Sequence, residues 1–250
     1  MPAWLDPTYE IGTYLLTAIY IWWERDRLLD FHIDKLAIMI IILFKPLQTI
    51  FLIFNGTGHS VLAFPHWPSL ILWGSAVGLF IALRPSWGSL PKITPRVLWW
   101  FAIGAGAGVM TAIVLGYPMS FQVAARAGSP NHGIIPLVAM PIILFPYQLG
   151  YAAVSEEPLF RGFLWGRLRK LGWKDVWIWL FQAGLFTLAH IYYLNGHLIS
   201  LWIIVPVGSL VFGALAWRSR TIAASMAAHG FMNTLGYTMG LVFAYYRMRS

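Results

Sequence analysis

The stretch ILFPYQLGYAAVSEEPLFRGFLWG, residues 143–166, places two adjacent glutamates and an arginine inside an apolar run. About 20 apolar residues are enough for a helix to cross the hydrocarbon layer of a membrane. A charged side chain at the centre of that layer costs between about 3 and about 10 kcal/mol. Acids are scarce in this protein, which has nine in 250 residues. We therefore expect Glu156, Glu157 and Arg161 to form ion pairs or to carry chemistry.

The composition of the whole chain predicts a membrane protein. Hydrophobic residues make up 59% of it and charged residues 10%, and the mean hydropathy is +0.68. Soluble domains carry about 25% charged residues, so this chain has too little polar surface to coat a soluble globule. The absence of cysteine excludes disulfides, thiolate catalysis and cysteine-ligated metals.

Apolar segments long enough to cross a membrane recur along the chain. They fall at about residues 11–23, 36–54, 69–83, 97–117, 143–166, 176–194, 198–217 and 221–245. We predict an all-α, polytopic transmembrane bundle of about eight (seven to eight) spans. The sequence contains no repeat or linker that indicates a second domain, so residues 1–250 are predicted to form a single membrane domain.

The distribution of Lys and Arg predicts the orientation of the bundle. Twelve of these residues fall in alternate loops on one side of the predicted membrane and three fall on the other side. The twelve are Arg25, Arg27, Lys35, Arg84, Lys92, Arg96, Arg167, Arg169, Lys170, Lys174, Arg218 and Arg220. Cytoplasmic loops carry such an excess, so both termini are expected outside, with a bacterial inner membrane as the expected location. The net charge of +8 is therefore attributed to topology, and no nucleic-acid partner is expected.

Helical register separates the two glutamates. Glu157 and Arg161 are four residues apart, which is the spacing of an ion pair on one helix face. Glu156 points about 100° away from that pair and has no local partner. We expect Glu157 and Arg161 to be structural and Glu156 to accept a proton during catalysis. Lys45 is the other charge within a span, and we expect it to snorkel or to mark a kink at Pro46.

Two further polar positions fall at a similar predicted depth in the membrane. The basic segment 167–174 is predicted to be a turn between antiparallel helices, and reflection of Glu156 through Trp173 gives His190. In the last span, His229 and Asn233 are four residues apart on one helix face. A rise of about 1.5 Å per residue gives these positions overlapping depths. That they face one another is an inference, because spacing does not determine helix rotation.

The four side chains provide the groups needed to hydrolyse an amide with water. Glu156, assisted by His190, is expected to deprotonate the water. His229 and Asn233 are expected to donate hydrogen bonds to the developing oxyanion. We expect no metal and no other cofactor.

The motifs resemble those of the CPBP family, which comprises the CAAX-protease and bacteriocin-processing (ABI) intramembrane proteases. EEPLFR (156–161) matches EExxxR, FTLAH (Phe186–His190) matches FxxxH, and HGFMN (His229–Asn233) matches HxxxN, in family order. The resemblance covers about residues 143–245, which we take as the catalytic core. It implies an intramembrane glutamic endopeptidase whose catalytic residues are Glu156, His190, His229 and Asn233. Phe186 is then a supporting residue, beside Glu157 and Arg161.

The resemblance leaves several kinds of substrate open. Family members trim prenylated CAAX tails, mature bacteriocins or pheromones, or process C-terminal sorting signals. The predicted depth of the site is nearer the outer face, which favours cleavage of a membrane-embedded segment close to its external end. We therefore expect a membrane-anchored protein or peptide as substrate, while the oligomeric state is not predicted.

Three alternative functions are open from the residues alone. A zinc-dependent CAAX-type protease would use Glu156, His190 and His229 as ligands, although the sequence has no HExxH pair. A serine protease could use Ser225 with His229, although the sequence has no GxSxG turn. A noncatalytic transporter or scaffold would explain the buried charges as an ion path or as structural pairs.

Overall fold

The computed structural model describes residues 5–54, 59–127, 141, 144–195 and 197–247, and these residues contain helices and no strand. The longer helices are α1 (Leu5–Trp23), α2 (Lys35–Phe54), α3 (Trp67–Leu83), α4 (Pro95–Ala127), α7 (Asp175–Ala189), α8 (Val205–Ser219) and α9 (Ile222–Arg247). Residues 149–170 form one continuous helical segment, which we call the carboxylate helix. It consists of a π-helical turn Leu149–Ala153, then α5 (Val154–Glu157), a second π-helical stretch Pro158–Leu164, and α6 (Trp165–Lys170).

The all-α class is confirmed for the described residues, and every predicted span overlaps helical residues. Four helical segments are long and apolar enough to cross a membrane, namely Lys35–Ile53, Trp67–Ser86, Pro95–Pro118 and Ser200–Ser219. Asp175–Ala189 is a shorter apolar helix. The predicted count of seven to eight spans is therefore not confirmed. The carboxylate helix contains the polar residues of the EExxxR motif and α9 contains those of the HxxxN motif, which makes both helices less apolar than a plain span.

Helices α3 and α4 present apolar side chains outward. On α4, Trp99 is 67% exposed and Val114 is 68% exposed. Only a minority of the residues in the span Pro95–Pro118 are buried inside the protein. Contiguous apolar surface of this kind is rare on soluble monomers and is typical of a surface that contacts lipid or another protein. Together with the span lengths, it indicates an integral membrane protein.

The four basic loops predicted to share one side of the membrane do meet at one end of the bundle. The backbone N–H of Lys35 donates to the carbonyl of Pro91 at 3.0 Å, which joins the first two loops. Ion pairs join the others: Arg167 to Glu24, Lys170 to Asp30, Arg169 to Asp175 and Arg220 to Asp175. The Lys and Arg residues that make these contacts therefore lie together at this end.

His32 lies at the centre of this basic end and is 3% exposed. Burial, together with the nearby guanidinium groups of Arg169 and Arg220, lowers the pKa of His32 to about 3. The imidazole is therefore neutral at physiological pH, and its Nε2 accepts a hydrogen bond from Arg169 Nη1 at 2.9 Å. The backbone carbonyl of His32 accepts a bond from the N–H of Ile222 at 2.8 Å. These bonds fix the start of α9 relative to α2.

Helices α4 and α9 pack closely along much of their length, because small residues line both surfaces. A Cβ atom added at Gly104 would lie 2.1 Å from the carbonyl oxygen of Ala224. A Cβ atom added at Gly108 would lie 2.4 Å from the carbonyl oxygen of Ala228. Both clashes are with backbone, which cannot rotate away. Gly108 thus sets how closely α4 approaches the residue that precedes His229.

We predict that Gly108→Ala lowers the thermal stability of the purified protein. The new methyl group must push α4 away from α9, and overpacking of this kind costs about 1–3 kcal/mol. Gly106→Ala is the matched control, because no atom lies within 4 Å of a Cβ added there. That change should be neutral or stabilising by up to about 1 kcal/mol, since alanine favours helix over glycine. Equal melting temperatures for the two variants in detergent would contradict this packing argument.

Candidate active site

The carboxylate helix and α7 form an antiparallel hairpin around the predicted basic turn. α6 ends at Lys170 and α7 begins at Asp175. Gly172 lies between them at φ 85°, a left-handed conformation that glycine adopts without strain. The hairpin brings Glu156 on one helix level with His190, which caps the C-terminus of α7. The predicted juxtaposition of these two residues is therefore present.

Glu156 lies between two imidazoles that come from different helices. Its Oε1 is 3.8 Å from Nε2 of His190, and its Oε2 is 3.8 Å from Nε2 of His229 on α9. These separations are longer than a direct hydrogen bond, and one water molecule could contact both members of either pair. All three side chains are buried, with Glu156 8% exposed. The structure thus brings one carboxylate and two imidazoles to a single point.

His190 is held in one tautomer by its own helix. Its Nδ1 lies 2.8 Å from the carbonyl oxygen of Phe186, which can only accept a hydrogen bond. Nδ1 therefore carries the proton, and Nε2 in the neutral ring is left as an acceptor that faces Glu156. The ring of Phe186 packs at 4.6 Å from the His190 ring and limits its rotation. His190 is thus arranged to accept a proton or a hydrogen bond near Glu156.

His229 is oriented by the second glutamate of the motif. Its Nδ1 lies 2.9 Å from Oε1 of Glu157, so Nδ1–H donates to that carboxylate. The ring stacks on Phe212 of α8 with centroids 4.6 Å apart and planes 19° apart. These contacts leave Nε2 directed toward Glu156. Glu157 was expected only to pair with Arg161, and its contact with His229 was not predicted.

Arg161 completes a fully buried charged pair with Glu157, as the four-residue spacing predicted. Its Nη1 lies 3.3 Å from Oε1 of Glu157, and both side chains are 0% exposed. Its Nη2 donates to Oγ of Ser209 on α8 at 2.7 Å. The guanidinium also lies 4.2 Å from the centre of the Phe186 ring, a cation–π distance. Arg161 therefore connects the carboxylate helix to α7 and α8.

Asn233 lies one turn after His229 on α9 and is half-buried. Its helical spacing puts it on the same side of α9 as His229. Its predicted role as a second donor to the oxyanion stays a prediction. The same applies to the catalytic roles of Glu156, His190 and His229.

Two alternatives from the sequence can be compared with this geometry. The hydroxyl of Ser225 donates to the carbonyl of Ile222 at 3.0 Å, and both nitrogens of His229 are directed at glutamates. Ser225 and His229 are thus not arranged as a nucleophile and its base. Among the described residues, no group of three His, Cys, Asp or Glu side chains is arranged to hold a metal ion. The expectation of a metal-free enzyme stays a prediction.

The snorkelling expected of Lys45 is wrong, whereas the alternative that it marks a kink at Pro46 stays a prediction. Lys45 is 0% exposed and its ammonium forms an ion pair with Glu10 of α1, so it does not snorkel to the membrane surface. It also donates to Oγ of Ser155 at 2.7 Å. Spacing could not reveal this contact, because Lys45 and Ser155 lie on helices that are far apart in sequence. The only sequence signal was the presence of Lys45 within a predicted span.

Comparison with known families agrees with the motif order. Residues 138–235 match a family model described as Rce1-like, type II CAAX prenyl endopeptidase. The matched segment contains all three motifs, and the match confirms the predicted resemblance to the CAAX-protease family. Comparisons with curated proteins and with solved structures give no match.

Proposed function

We propose that this protein, whose residues 138–235 match the model described as Rce1-like, type II CAAX prenyl endopeptidase, is a membrane endopeptidase with a glutamic-type mechanism. The protein hydrolyses a peptide bond in or next to a membrane-anchored segment, with a water activated by Glu156 and no metal. The observation that carries the proposal is the convergence of His190 and His229 on Glu156, each at 3.8 Å.

Activation of water uses the two acceptors that face each other. The water donates one hydrogen to Oε1 of Glu156 and the other to Nε2 of His190, whose proton is committed to Phe186 on the Nδ1 side. A lone pair of the water oxygen is then free to attack the carbonyl carbon of the substrate. Glu156 takes the proton as the new C–O bond forms.

The oxyanion is stabilised by residues on the other side of Glu156, and the leaving group is protonated by Glu156 itself. His229 in its charged form donates from Nε2 to the oxyanion, and its Nδ1–H remains bonded to Glu157. Asn233 adds a second donor. When the tetrahedral intermediate collapses, the C–N bond breaks and Glu156 returns its proton to the leaving amine. The carboxylate is thereby regenerated, so protons and charge balance over one turnover.

A library of membrane-anchored C-terminal tails tests this function. Purified wild-type protein in lipid nanodiscs is incubated with prenylated tails and with unprenylated transmembrane tails, and products are identified by mass spectrometry. Cleavage that occurs in wild type and is absent in Glu156→Gln supports the function. Cleavage of one tail class and not the other identifies the substrate. If neither class is cleaved, or if Glu156→Gln cleaves as well, the proposal fails.

The proposed orientation places the basic end of the bundle in the cytoplasm and the segment between α2 and α3 outside. Because the chain has no cysteine, a single introduced cysteine is the only thiol. Val61→Cys, at a position 49% exposed, is expected to react with a membrane-impermeant maleimide in intact cells. Leu171→Cys, at a position 75% exposed in the basic turn, is expected to react only after permeabilisation. Reactivity in the opposite order would invert the orientation.

We predict that proteolysis survives removal of metal ions. A zinc enzyme of the alternative kind would need the metal to activate its water, and chelation would abolish its activity. In the glutamic mechanism the carboxylate performs that step, so dialysis against EDTA and 1,10-phenanthroline should leave kcat unchanged. The measurement is the cleavage rate before and after chelation, followed by addition of zinc. Loss of activity that zinc restores would favour the metalloprotease alternative.

A further inference from the structure

A second buried polar cluster lies directly beside the carboxylate helix. Lys45 of α2 is 0% exposed, and Glu10 of α1 is 3% exposed. The Lys45 ammonium is in ion-pair contact with Oε2 of Glu10, which also accepts a hydrogen bond from Nε2 of Gln48 at 3.2 Å. This pair lies outside the three motifs and outside residues 138–235, which match the family.

The cluster contacts the carboxylate helix next to its first glutamate. Lys45 Nζ donates to Oγ of Ser155 at 2.7 Å, and Ser155 immediately precedes Glu156. Ser155 is 1% exposed, so this hydrogen bond is shielded from solvent. The carbonyl oxygen of Tyr151, one turn earlier, lies 3.5 Å from the same ammonium. One cation thus contacts two successive turns of the carboxylate helix.

Backbone packing reinforces this contact. A Cβ atom added at Gly150 would lie 2.1 Å from the carbonyl oxygen of Phe44, which is the residue before Lys45. The carboxylate helix therefore approaches α2 as closely as a glycine allows. Together, the backbone contact and the Lys45 hydrogen bonds fix both the distance and the rotation of the helix around Glu156.

A buried ion pair is weak evidence for stability alone, because two well-packed apolar residues of similar size often stabilise a protein as much. A charged pair is more informative where it makes a directional contact that apolar groups cannot make. The Lys45–Ser155 hydrogen bond is such a contact, since it acts on the residue next to Glu156. Glu10 compensates the charge that would otherwise be buried alone.

We propose that Lys45, compensated by Glu10, is a positioning residue that holds Glu156 in register with His190 and His229 by binding Ser155. This inference rests on the proposed function of Glu156. It means that α1 and α2 complete an active site whose reacting groups all come from the matched segment. Misplacement of a reacting group by about 1 Å can cost about 10²-fold in rate.

One variant in the test removes both charges of the Lys45–Glu10 pair, and a second variant removes the hydroxyl of Ser155 that accepts the hydrogen bond from Lys45. Glu10→Gln/Lys45→Met leaves no uncompensated charge, so the variant is expected to fold, and Ser155→Ala leaves the ion pair intact. We expect each variant to lower kcat for tail cleavage by about 10²-fold with KM within about twofold, because Glu156 is displaced while substrate binding is retained. Combining all three substitutions should lower kcat no further, since both changes interrupt one contact. Thr17→Val, at a buried position on α1, is the matched control and should keep wild-type kinetics.

A second readout does not depend on activity. Hydrogen exchange of the peptide that contains residues 150–157 should be faster in Glu10→Gln/Lys45→Met and in Ser155→Ala than in wild type or Thr17→Val. If wild type cleaves nothing, the proposed function fails and hydrogen exchange alone decides the positioning role. Wild-type kcat in the double variant, additive losses in the triple variant, or unchanged exchange would each overturn the inference. If the double variant fails to fold, Ser155→Ala decides it by the same two measurements.

Discussion

Replacement of Glu156 by glutamine is expected to lower kcat for peptide cleavage by about 10²–10⁴-fold, the range that a positioned general base contributes. Glutamine has nearly the same shape as glutamate but cannot accept the proton of the attacking water. The contacts that hold His190 and His229, to Phe186 and Glu157, do not involve Glu156 and should survive the change. KM should therefore change little, and the loss should fall on kcat. The measurement is the initial rate on the best-cleaved tail from the library.

Glu24→Gln is the matched control for this experiment. Glu24 is 1% exposed, so the same chemical change is made at an equally buried position. Its carboxylate pairs with Arg27 and Arg167 at the basic end of the bundle, away from the imidazoles. Cleavage by Glu24→Gln should stay close to wild type when rates are normalised to folded protein. Equal losses in the two variants would mean that Glu156 acts through stability, and full activity in Glu156→Gln would remove it as the base.

The sequence predicted well those parts of the fold that depend on the length of an apolar segment or on the residues that form a turn. The span at 36–54 corresponds to α2, Lys35–Phe54, because a predominantly apolar segment within a membrane must satisfy its backbone hydrogen bonds internally, as a helix does. The turn around Gly172 was predicted, because a glycine between basic residues commonly ends a helix, but the predicted segment 167–174 was too long, since the helix continues to Lys170. The number of spans was less secure, since the helices that carry polar motifs do not meet the length and apolarity of a plain span.

The π-helical geometry of the carboxylate helix was not predictable from sequence. Two π-helical stretches, Leu149–Ala153 and Pro158–Leu164, flank the four residues of α5 that include both glutamates. Each π turn rotates the next residues of the helix by a fraction of a turn, so a register count based on 3.6 residues accumulates error. Wide turns of this kind recur at functional sites. The prediction that the side chain of Glu156 points away from the Glu157–Arg161 pair compares neighbouring residues. It was therefore not affected by this accumulated error.

The partners of each charge across the bundle were the part that sequence left open. Reflection through the turn identified His190, because that hairpin is local in the chain. The contact between Glu157 and His229 joins helices 72 residues apart, and the contact between Lys45 and Ser155 joins residues 110 apart. Such contacts depend on helix rotation and packing order, which the spacing of one sequence does not fix. The sequence therefore indicated that charged side chains are buried in the bundle, but it did not indicate which of them pair across it.

Substitutions in the Glu157–Arg161 pair are expected to have a large effect on the stability of the protein. Removing one charge and removing both should change stability and kcat in different ways. Arg161→Met alone is expected to lower the free energy of unfolding by about 3–5 kcal/mol, because it leaves the carboxylate of Glu157 buried without its cation. Glu157→Met/Arg161→Met removes both charges and is expected to recover most of that loss, since apolar residues of similar size can replace a buried ion pair. Unfolding of both variants is measured in the same detergent, with wild type as reference.

Catalysis should respond differently from stability in the same two variants. Arg161→Met keeps the hydrogen bond from Nδ1 of His229 to Glu157, whereas the double variant removes its acceptor. Without that acceptor the His229 ring keeps its contacts with the rings of Phe212 and Phe186 but loses the hydrogen bond that orients it. We therefore expect the better-folded double variant to have a kcat lower by about 10²–10³-fold, the loss typical of one oxyanion donor. Recovery of stability together with wild-type kcat would show that Glu157 serves only the fold, because a carboxylate that orients His229 cannot be replaced by a thioether.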